Sequence, residues 1–193
     1  MFTTYLNEDL NQETYPVFII LTKGKTLISK PISLITNCPY THCSISLDPK
    51  LRYFYSYNLA DKFNRGFIME TRQRLKQSSG VNISVFFVNK KTFYDISSSI
   101  KRYCDHKNET KYSIKRLFEA AFNKGKETNP YEQVCSSFVY SILADAGIKL
   151  APDNIKCVKP SDIYKTINNN NKYIYNIYDG SIFDLDDDLI ELE

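Results

Sequence analysis

The amino-acid sequence predicts an α+β fold built on a single domain. Runs that alternate apolar and polar residues, which are typical of β-strands, are interspersed with runs that have helical spacing. The chain has 193 residues, of which 42% are hydrophobic. A domain of this size buries about 70% of its unfolded surface, so it can form a core without a metal or a disulfide. We therefore expect antiparallel strands clustered between helices.

The predicted strands are short apolar or alternating runs bounded by turn residues. They cover residues 16–21, 41–47, 52–58, 66–70, 82–88 and 172–178. Asp48-Pro49-Lys50 predicts a tight turn between the second and third strands. The second strand alternates most regularly, with Cys43, Ile45 and Leu47 on one face. His42 lies on the opposite face, which is polar and which we expect to be the more hydrated one.

The predicted helices have apolar residues three and four positions apart. They cover residues 26–37, 93–104, 112–122, 134–146 and 160–167. Gly125 and Gly147 are the expected stops of the third and fourth helices. We expect residues 1–15 to be a loose N-terminal segment, residues 16–180 to form the domain, and residues 181–193 to be an acidic tail.

Composition and charge exclude several classes of function. The net charge of +3 is too small to indicate nucleic-acid binding. The first apolar run, Val17 to Leu21, is too short for a secretory signal, and no run approaches the roughly 20 apolar residues of a membrane helix. The five cysteines have no framework spacing, which favours free thiols in a reducing compartment. We therefore expect a cytoplasmic protein; the oligomeric state is not indicated.

Cys135 is the first candidate catalytic residue, because it stands at the beginning of the fourth predicted helix. A helix N-terminus stabilises a thiolate by up to about 1 kcal/mol, which is less than full activation of a thiol requires. A nearby imidazolium could supply the remainder. The alternative is that Cys135 is a small buried apolar residue of the helix.

His42 is the natural partner of such a thiol, since it begins a predicted strand on the polar face. The chain has two histidines, and the second, His106, lies in a charged segment that we expect to be exposed. A structural or merely exposed role is the alternative for His42.

A zinc site is the competing use of these residue types. The possible ligands are Cys38, His42, Cys43, Cys104 and His106. Their spacing does not give two pairs of ligands separated by two to four residues, which structural zinc favours. The six glycines are not grouped, so a phosphate-binding loop is not indicated either. We expect no metal and no cofactor.

Two motifs resemble those of the NlpC-type cysteine peptidase superfamily, in its circularly permuted papain-like branch. The first is Thr41-His42-Cys43-Ser44-Ile45-Ser46-Leu47-Asp48, and the second is Tyr131 to Val139, which contains Val134-Cys135-Ser136-Ser137-Phe138. The branch includes YiiX-like bacterial proteins and lecithin–retinol acyltransferase-like enzymes. The histidine precedes the cysteine, as in the permuted order. The resemblance implies a central antiparallel sheet packed against helices, with the nucleophile at a helix N-terminus.

The resemblance also implies a third polar residue that orients the histidine from a later strand. Ser56 stands near the expected place, and Glu70, one strand further on, is the stronger electrostatic choice because a carboxylate stabilises an imidazolium. Tyr112 and Ser136 are candidates for lining the site or its oxyanion hole, with the backbone N–H of Cys135 as a further donor. The alternatives are a strand hydroxyl for Ser56, a surface charge for Glu70 and a core residue for Tyr112.

The chemistry implied is acyl transfer through a thioester, with Cys135 as nucleophile and His42 as general base and acid. The leading hypothesis is a hydrolase of amide bonds, acting on a peptide or an acylated small molecule. A lipid acyltransferase or thioesterase of the same fold is the alternative in related chemistry. A non-catalytic binding or virion-associated module is the alternative of a different kind.

Overall fold

A computed structural model describes the chain over residues 13–24, 38–59, 66–76, 78–121, 129–152, 154–155, 157–169 and 173–180. The predicted helix over residues 26–37, the predicted stop at Gly125 and the acidic tail lie outside the described residues, as do residues 1–12. The α+β class is confirmed, with an antiparallel sheet packed against helices.

Six antiparallel strands form the main sheet, in the order β4-β3-β2-β1-β5-β8. The strands are β1 (Thr14–Thr22), β2 (His42–Ser46), β3 (Tyr53–Asn58), β4 (Gly66–Thr71), β5 (Val81–Asn89) and β8 (Ile174–Gly180). β1 begins two residues earlier than predicted, so Thr14 and Tyr15 belong to the sheet and not to a loose segment. Both pair with β5, opposite Asn89 and Val88.

The helices described are α1 (Arg72–Leu75), α2 (Lys90–Asp105), α3 (Ile114–Ala121), α4 (Cys135–Asp145) and α5 (Pro160–Asn168), with a 3-10 turn at Lys107–Glu109. Two short strands, β6 (Lys111–Tyr112) and β7 (Glu132–Gln133), pair in parallel. Tyr112 therefore lies in β6 and not in the helix predicted from residue 112, because its backbone pairs with Gln133. This pairing brings the segment before α3 to the segment before α4.

The core has two parts, which follow the alternation of β1. Val17, Ile19 and Leu21 belong to a large cluster that includes Phe138 and Ile142 of α4. Phe18 and Ile20 belong to a smaller cluster that also contains Leu51, Phe54, Leu75, Val81, Ile83 and Val85. Side chains alternate between the faces of a strand, so both faces of the sheet are covered.

The polar face of β2 is therefore not hydrated, contrary to the prediction. Ser44 pairs with Ile20 and Ser46 with Phe18, both members of the smaller cluster, and the two serines are fully buried. Their hydroxyls are hydrogen-bonded, as buried polar groups must be to avoid a desolvation cost. The strand pattern identified which side chains share this face but not what covers it.

The beginning of β4 is fixed by a close approach at Gly66. Its φ is +150°, and a Cβ atom there would lie 2.5 Å from Oγ1 of Thr110. The next residue, Phe67, donates its backbone N–H to the same Oγ1 at 2.9 Å. Glycine at this position allows β4 to pack against the segment that leads into β6, and β4 carries Glu70.

Candidate active site

His42, the first residue of β2, faces the carboxylate of Glu70 from β4. Its Nε2 atom lies 3.0 Å from Oε2 and 3.2 Å from Oε1 of Glu70. The strands are not neighbours in the sheet, because β3 lies between them. The His42 side chain is 23% exposed, whereas that of Glu70 is 2% exposed. Glu70 is therefore buried in the protein, whereas His42 is partly open to solvent.

The carboxylate of Glu70 has two further partners besides His42. Ser44 donates its hydroxyl to Oε2 at 2.8 Å, and Nε of Arg74 lies 3.6 Å from Oε1. A buried carboxylate is costly unless donors and positive charge surround it. Glu70 is thus held ionised by its surroundings, and the surface-charge alternative for this residue is wrong.

Cys135 is the first residue of α4, as the sequence predicted. It is buried, and it lies close enough to His42 to raise the pKa of that imidazole. Because Nε2 of His42 faces Glu70, Nδ1 is the nitrogen left to face Cys135. The imidazole then connects the thiol and the carboxylate through its two nitrogens, which is the arrangement of a nucleophile, a base and an orienting group.

The electrostatics of the site favour a charged imidazole. Burial lowers the pKa of His42, but the charge of Glu70 and the hydrogen bonds to Cys135 and Glu70 outweigh it and raise the pKa to about 10. Burial raises the pKa of Glu70, but its interactions with His42, Ser44 and Arg74 hold that pKa below its ordinary value. The His42–Glu70 pair is therefore an ion pair at neutral pH.

The beginning of α4 offers backbone donors beside the thiol. Val134 precedes the helix, and no side chain caps it. The N–H of Phe138 makes the first bond within the helix, to the Val134 carbonyl at 3.0 Å. The N–H groups of Cys135, Ser136 and Ser137 come earlier in this first turn, where a helix has no internal acceptors. An oxyanion formed next to Cys135 can accept a hydrogen bond from them.

Tyr112 is close enough to Cys135 for the charge of the thiolate to affect its phenol. Burial raises the pKa of its phenol, and the negative charge of a Cys135 thiolate raises it further. The phenol therefore stays protonated and can donate a hydrogen bond. β6 pairs in parallel with β7, and this pairing places Tyr112 opposite Gln133, which comes two residues before Cys135 in the chain.

Ser56 and Ser136, two other predicted site residues, direct their hydroxyls elsewhere. Ser56 is fully buried in β3 and donates to the backbone carbonyl of Cys43 at 2.6 Å. The structure therefore brings Glu70, and not Ser56, to His42. Ser136 donates to the carbonyl of Val158 at 2.7 Å, which ties α4 to the segment before α5. Its backbone N–H remains in the first turn, but its side chain has a structural role.

Two residues of the site were not predicted from the sequence. Ser44 and Arg74 both contact Glu70. The alternation of β2 placed Ser44 on the same face as His42, which was a usable signal. No sequence pattern pointed to Arg74, because its role depends on α1 returning the chain to Glu70 one turn later.

The other possible ligands and nucleophiles are His106 and the four remaining cysteines. His106 is exposed and contacts Glu109 through Nδ1 at 2.8 Å. The cysteines are all free: Cys104 is exposed, and Cys38, Cys43 and Cys157 are buried. Within the described residues, no group of three or more His, Cys, Asp and Glu side chains is arranged to hold a metal ion.

Comparison with known proteins gives a relationship of fold. No protein-family model matches this chain, and no curated protein matches it either. Its fold is similar to that of the metalloprotein YiiX from Escherichia coli O157:H7, DUF1105, in a crystal structure. The two share 14% sequence identity with a TM-score of 0.52, over 86% of this chain and 97% of that one. At this identity the similarity is one of fold alone. In the part of the chain that the structure describes, no helix is long and apolar enough to span a membrane.

Proposed function

We propose that this protein is a cysteine hydrolase of amide bonds with a circularly permuted papain-like, NlpC-type fold. The observation that carries the proposal is the position of His42, which lies 3.0 Å from the buried carboxylate of Glu70 and close enough to Cys135, at the start of α4, for the two charges to interact. A nucleophile, a base and an orienting carboxylate in this order are the components that acyl transfer through a thioester requires. The YiiX-like fold and the order of histidine before cysteine support the permuted assignment.

The reaction begins from a Cys135 thiolate paired with the His42 imidazolium, which holds the proton that has left the thiol. The sulfur attacks the substrate carbonyl, and the new C–S bond leaves a negative oxygen near the first-turn N–H groups of α4. The C–N bond then breaks as His42 returns its proton to the leaving amine. Neutral His42 then takes a proton from water as the water oxygen attacks the thioester, and collapse of that intermediate breaks the C–S bond, releases the carboxylic acid and restores the Cys135 thiolate beside protonated His42.

Acylation by p-nitrophenyl acetate tests this function without knowledge of the natural substrate. We expect a burst of nitrophenolate and one acetyl group on Cys135, located by mass spectrometry of peptides. His42→Ala should slow the acylation at least 100-fold, since a positioned base contributes about 10²–10⁴. Cys157→Ser is the matched control, because Cys157 is also a buried free thiol but contacts Ser137 and not His42. A chain in which Cys135 is not acylated, or in which His42→Ala has no effect, would instead be a non-catalytic binding or virion-associated module.

A lipid acyltransferase or thioesterase is the second candidate, and an exposed apolar pair supports it. Ile114 and Phe118 lie one turn apart on α3 and are 48% and 63% exposed. α3 begins two residues after Tyr112, which lines the site. Large apolar side chains exposed together beside a reactive centre are suited to binding an acyl chain.

Substrate length separates the two candidates. If the substrate is an acyl chain, Ile114→Ser and Phe118→Ser should reduce turnover of a long-chain acyl thioester and leave acetylation by the short ester unchanged. For an amide hydrolase, the two variants should affect neither reaction, and peptide p-nitroanilides should be cleaved in preference to acyl thioesters. Tyr94→Ser is the control, because Tyr94 is also exposed but lies on α2.

A further inference from the structure

We propose that Ser44 is a positioning residue that fixes the orientation and the tautomer of His42 by holding the carboxylate of Glu70. The inference rests on the proposed function, in that it concerns the same His42. It goes beyond that function because Ser44 touches neither the thiol nor, in the mechanism above, the substrate. Three distances carry it, and they join one hydroxyl, one carboxylate and one imidazole.

The hydrogen atoms of this group can be assigned from the distances. Ser44 Oγ lies 2.8 Å from Oε2 of Glu70 and 3.3 Å from Nε2 of His42. A hydroxyl has one proton, and the shorter contact to a carboxylate oxygen takes it. The oxygen of Ser44 can then only accept from His42. Both Ser44 and Glu70 thus present acceptors to Nε2 of His42.

A proton on Nε2 follows from these two acceptors. Once His42 has given its proton to the leaving amine, the neutral imidazole carries one proton, on Nε2, and Nδ1 is left with the lone pair that takes a proton from water. Ser44 therefore contributes in two ways: it restricts the rotation of the Glu70 carboxylate, and it makes the other tautomer of His42 unfavourable. Glu70 alone could bond Nε2 while its carboxylate turned about its own axis.

Several charged or titratable groups surround Ser44, Glu70 and His42 in the described residues. Arg74 of α1 faces the other oxygen of Glu70, at 3.6 Å. Cys135 of α4 contacts His42, and Tyr112 of β6 faces Cys135. Burial raises the pKa of Cys43 well above its ordinary value, so this neighbouring thiol stays neutral. Ser44 is the neutral group that donates to the carboxylate of Glu70, and it is fully buried.

The test is Ser44→Ala compared with Ser46→Ala. Both serines are fully buried on the same face of β2, but the hydroxyl of Ser46 donates to the carbonyl of Tyr53 at 2.7 Å. The readout is the ¹⁵N spectrum of the imidazoles, recorded against pH without substrate. The chain has only two histidines, so a His106→Gln background leaves His42 alone in the spectrum.

We expect wild type and Ser46→Ala to show one tautomer of neutral His42, with the proton on Nε2. Ser44→Ala should show a mixture of tautomers, and Glu70 should titrate at a higher pH than in wild type because its carboxylate loses a donor. Acylation of Cys135 by p-nitrophenyl acetate should fall about tenfold in Ser44→Ala and stay unchanged in Ser46→Ala. Ser44→Thr, which keeps the hydroxyl, should restore the wild-type spectrum, whereas the isosteric Ser44→Val should not.

The inference is overturned if Ser44→Ala and Ser46→Ala give the same tautomer, titration and acylation rate. The Thr and Val variants provide the same comparison if alanine at position 44 prevents folding, since they differ by one hydroxyl at equal volume. The outcome is separate from that of the proposed function. A wild-type His42 that titrates at its ordinary pH contradicts the catalytic pair itself, whereas a raised titration that is insensitive to Ser44 contradicts only the role of Ser44.

Discussion

Glu70 reaches His42 across an intervening strand, and its Oε2 atom lies 3.0 Å from Nε2 of the imidazole. Strands two positions apart in a sheet are separated by roughly 10 Å, so two long side chains are needed to close this distance. Ser56 lies on the intervening strand β3, but its hydroxyl is neutral and could not supply the charge of a carboxylate. The relationship explains why the chain places a buried carboxylate in a strand next to a hydrophobic cluster.

Replacing Glu70 with glutamine should remove most of the activity while preserving the shape of the site. The amide oxygen can still accept from Nε2, but a neutral group does not stabilise the imidazolium. We expect acylation of Cys135 to slow by roughly 100-fold or more. The pKa of His42 should fall toward its ordinary value, so the alkaline limb of the pH–rate profile should move to lower pH.

Glu109→Gln is the matched control for that substitution. Glu109 forms the other histidine–carboxylate contact described here, with exposed His106 at 2.8 Å. Surface pairs of this kind contribute little, so we expect neither the acylation rate nor the pH–rate profile to change. Equal effects of the two substitutions would show that the His42–Glu70 pair has no special role.

The ion pair also predicts how stability depends on pH. The pKa of His42 is raised to about 10, so its contribution is complete below about pH 6.5 and is lost as the pH rises toward 10. The pKa of Glu70 is lowered, so its contribution is present above about pH 4.3 and is lost on acidification. In urea unfolding, Glu70→Gln should therefore destabilise most between about pH 5 and pH 6.5, with a smaller difference at pH 10. A difference that is constant with pH would contradict the ion pair.

Tyr112→Phe should lower activity without a large loss of stability. Its phenol stays protonated beside Cys135 and can donate to the developing oxyanion, and loss of one such donor costs about 10²–10³ in rate. Tyr103→Phe is the control, because this buried tyrosine donates to the carbonyl of Pro130 at 3.3 Å. If both variants acylate at the wild-type rate, Tyr112 only lines the site.

Ser136→Ala should have the opposite profile, with lower stability and retained chemistry. Its hydroxyl satisfies the buried carbonyl of Val158, and an unsatisfied buried group costs about 1–3 kcal/mol. Acylation should change less than threefold, because the oxyanion is bound by backbone N–H groups. Ser141→Ala, whose hydroxyl bonds the carbonyl of Phe138 within the same helix, should cost less stability. A large rate loss in Ser136→Ala with normal unfolding would return its hydroxyl to the oxyanion hole.

The positions of Cys135 and His42 at the starts of their elements could be predicted because each depends on a local pattern. Cys135 precedes an apolar stripe of helical period, and His42 precedes a regular alternation. The structure places both at the start of their elements. The choice between Ser56 and Glu70 could not be made locally, because it depends on how three strands are arranged.

The sequence patterns could not predict the pairing of very short strands, nor which side chains cover each face of the sheet. β6 and β7 have two residues each, which is too short for a period, yet their pairing places Tyr112 beside Cys135. The serines of β2 predicted a hydrated face, but residues distant in the sequence, such as Leu75 and Val81, help to cover that side of the sheet. Such contacts depend on tertiary packing and leave no periodic signal.

The pH dependence of alkylation by iodoacetamide, followed at each cysteine by mass spectrometry, shows whether His42 activates the thiol of Cys135. Exposed Cys104 is the internal reference, and Cys38, Cys43 and Cys157 report on buried thiols. If His42 and Glu70 activate Cys135, it should be alkylated at a much lower pH than Cys104, and His42→Ala should move that reaction to higher pH. Alkylation of Cys135 at the pH of Cys104 or above, unchanged by His42→Ala, would contradict the catalytic pair.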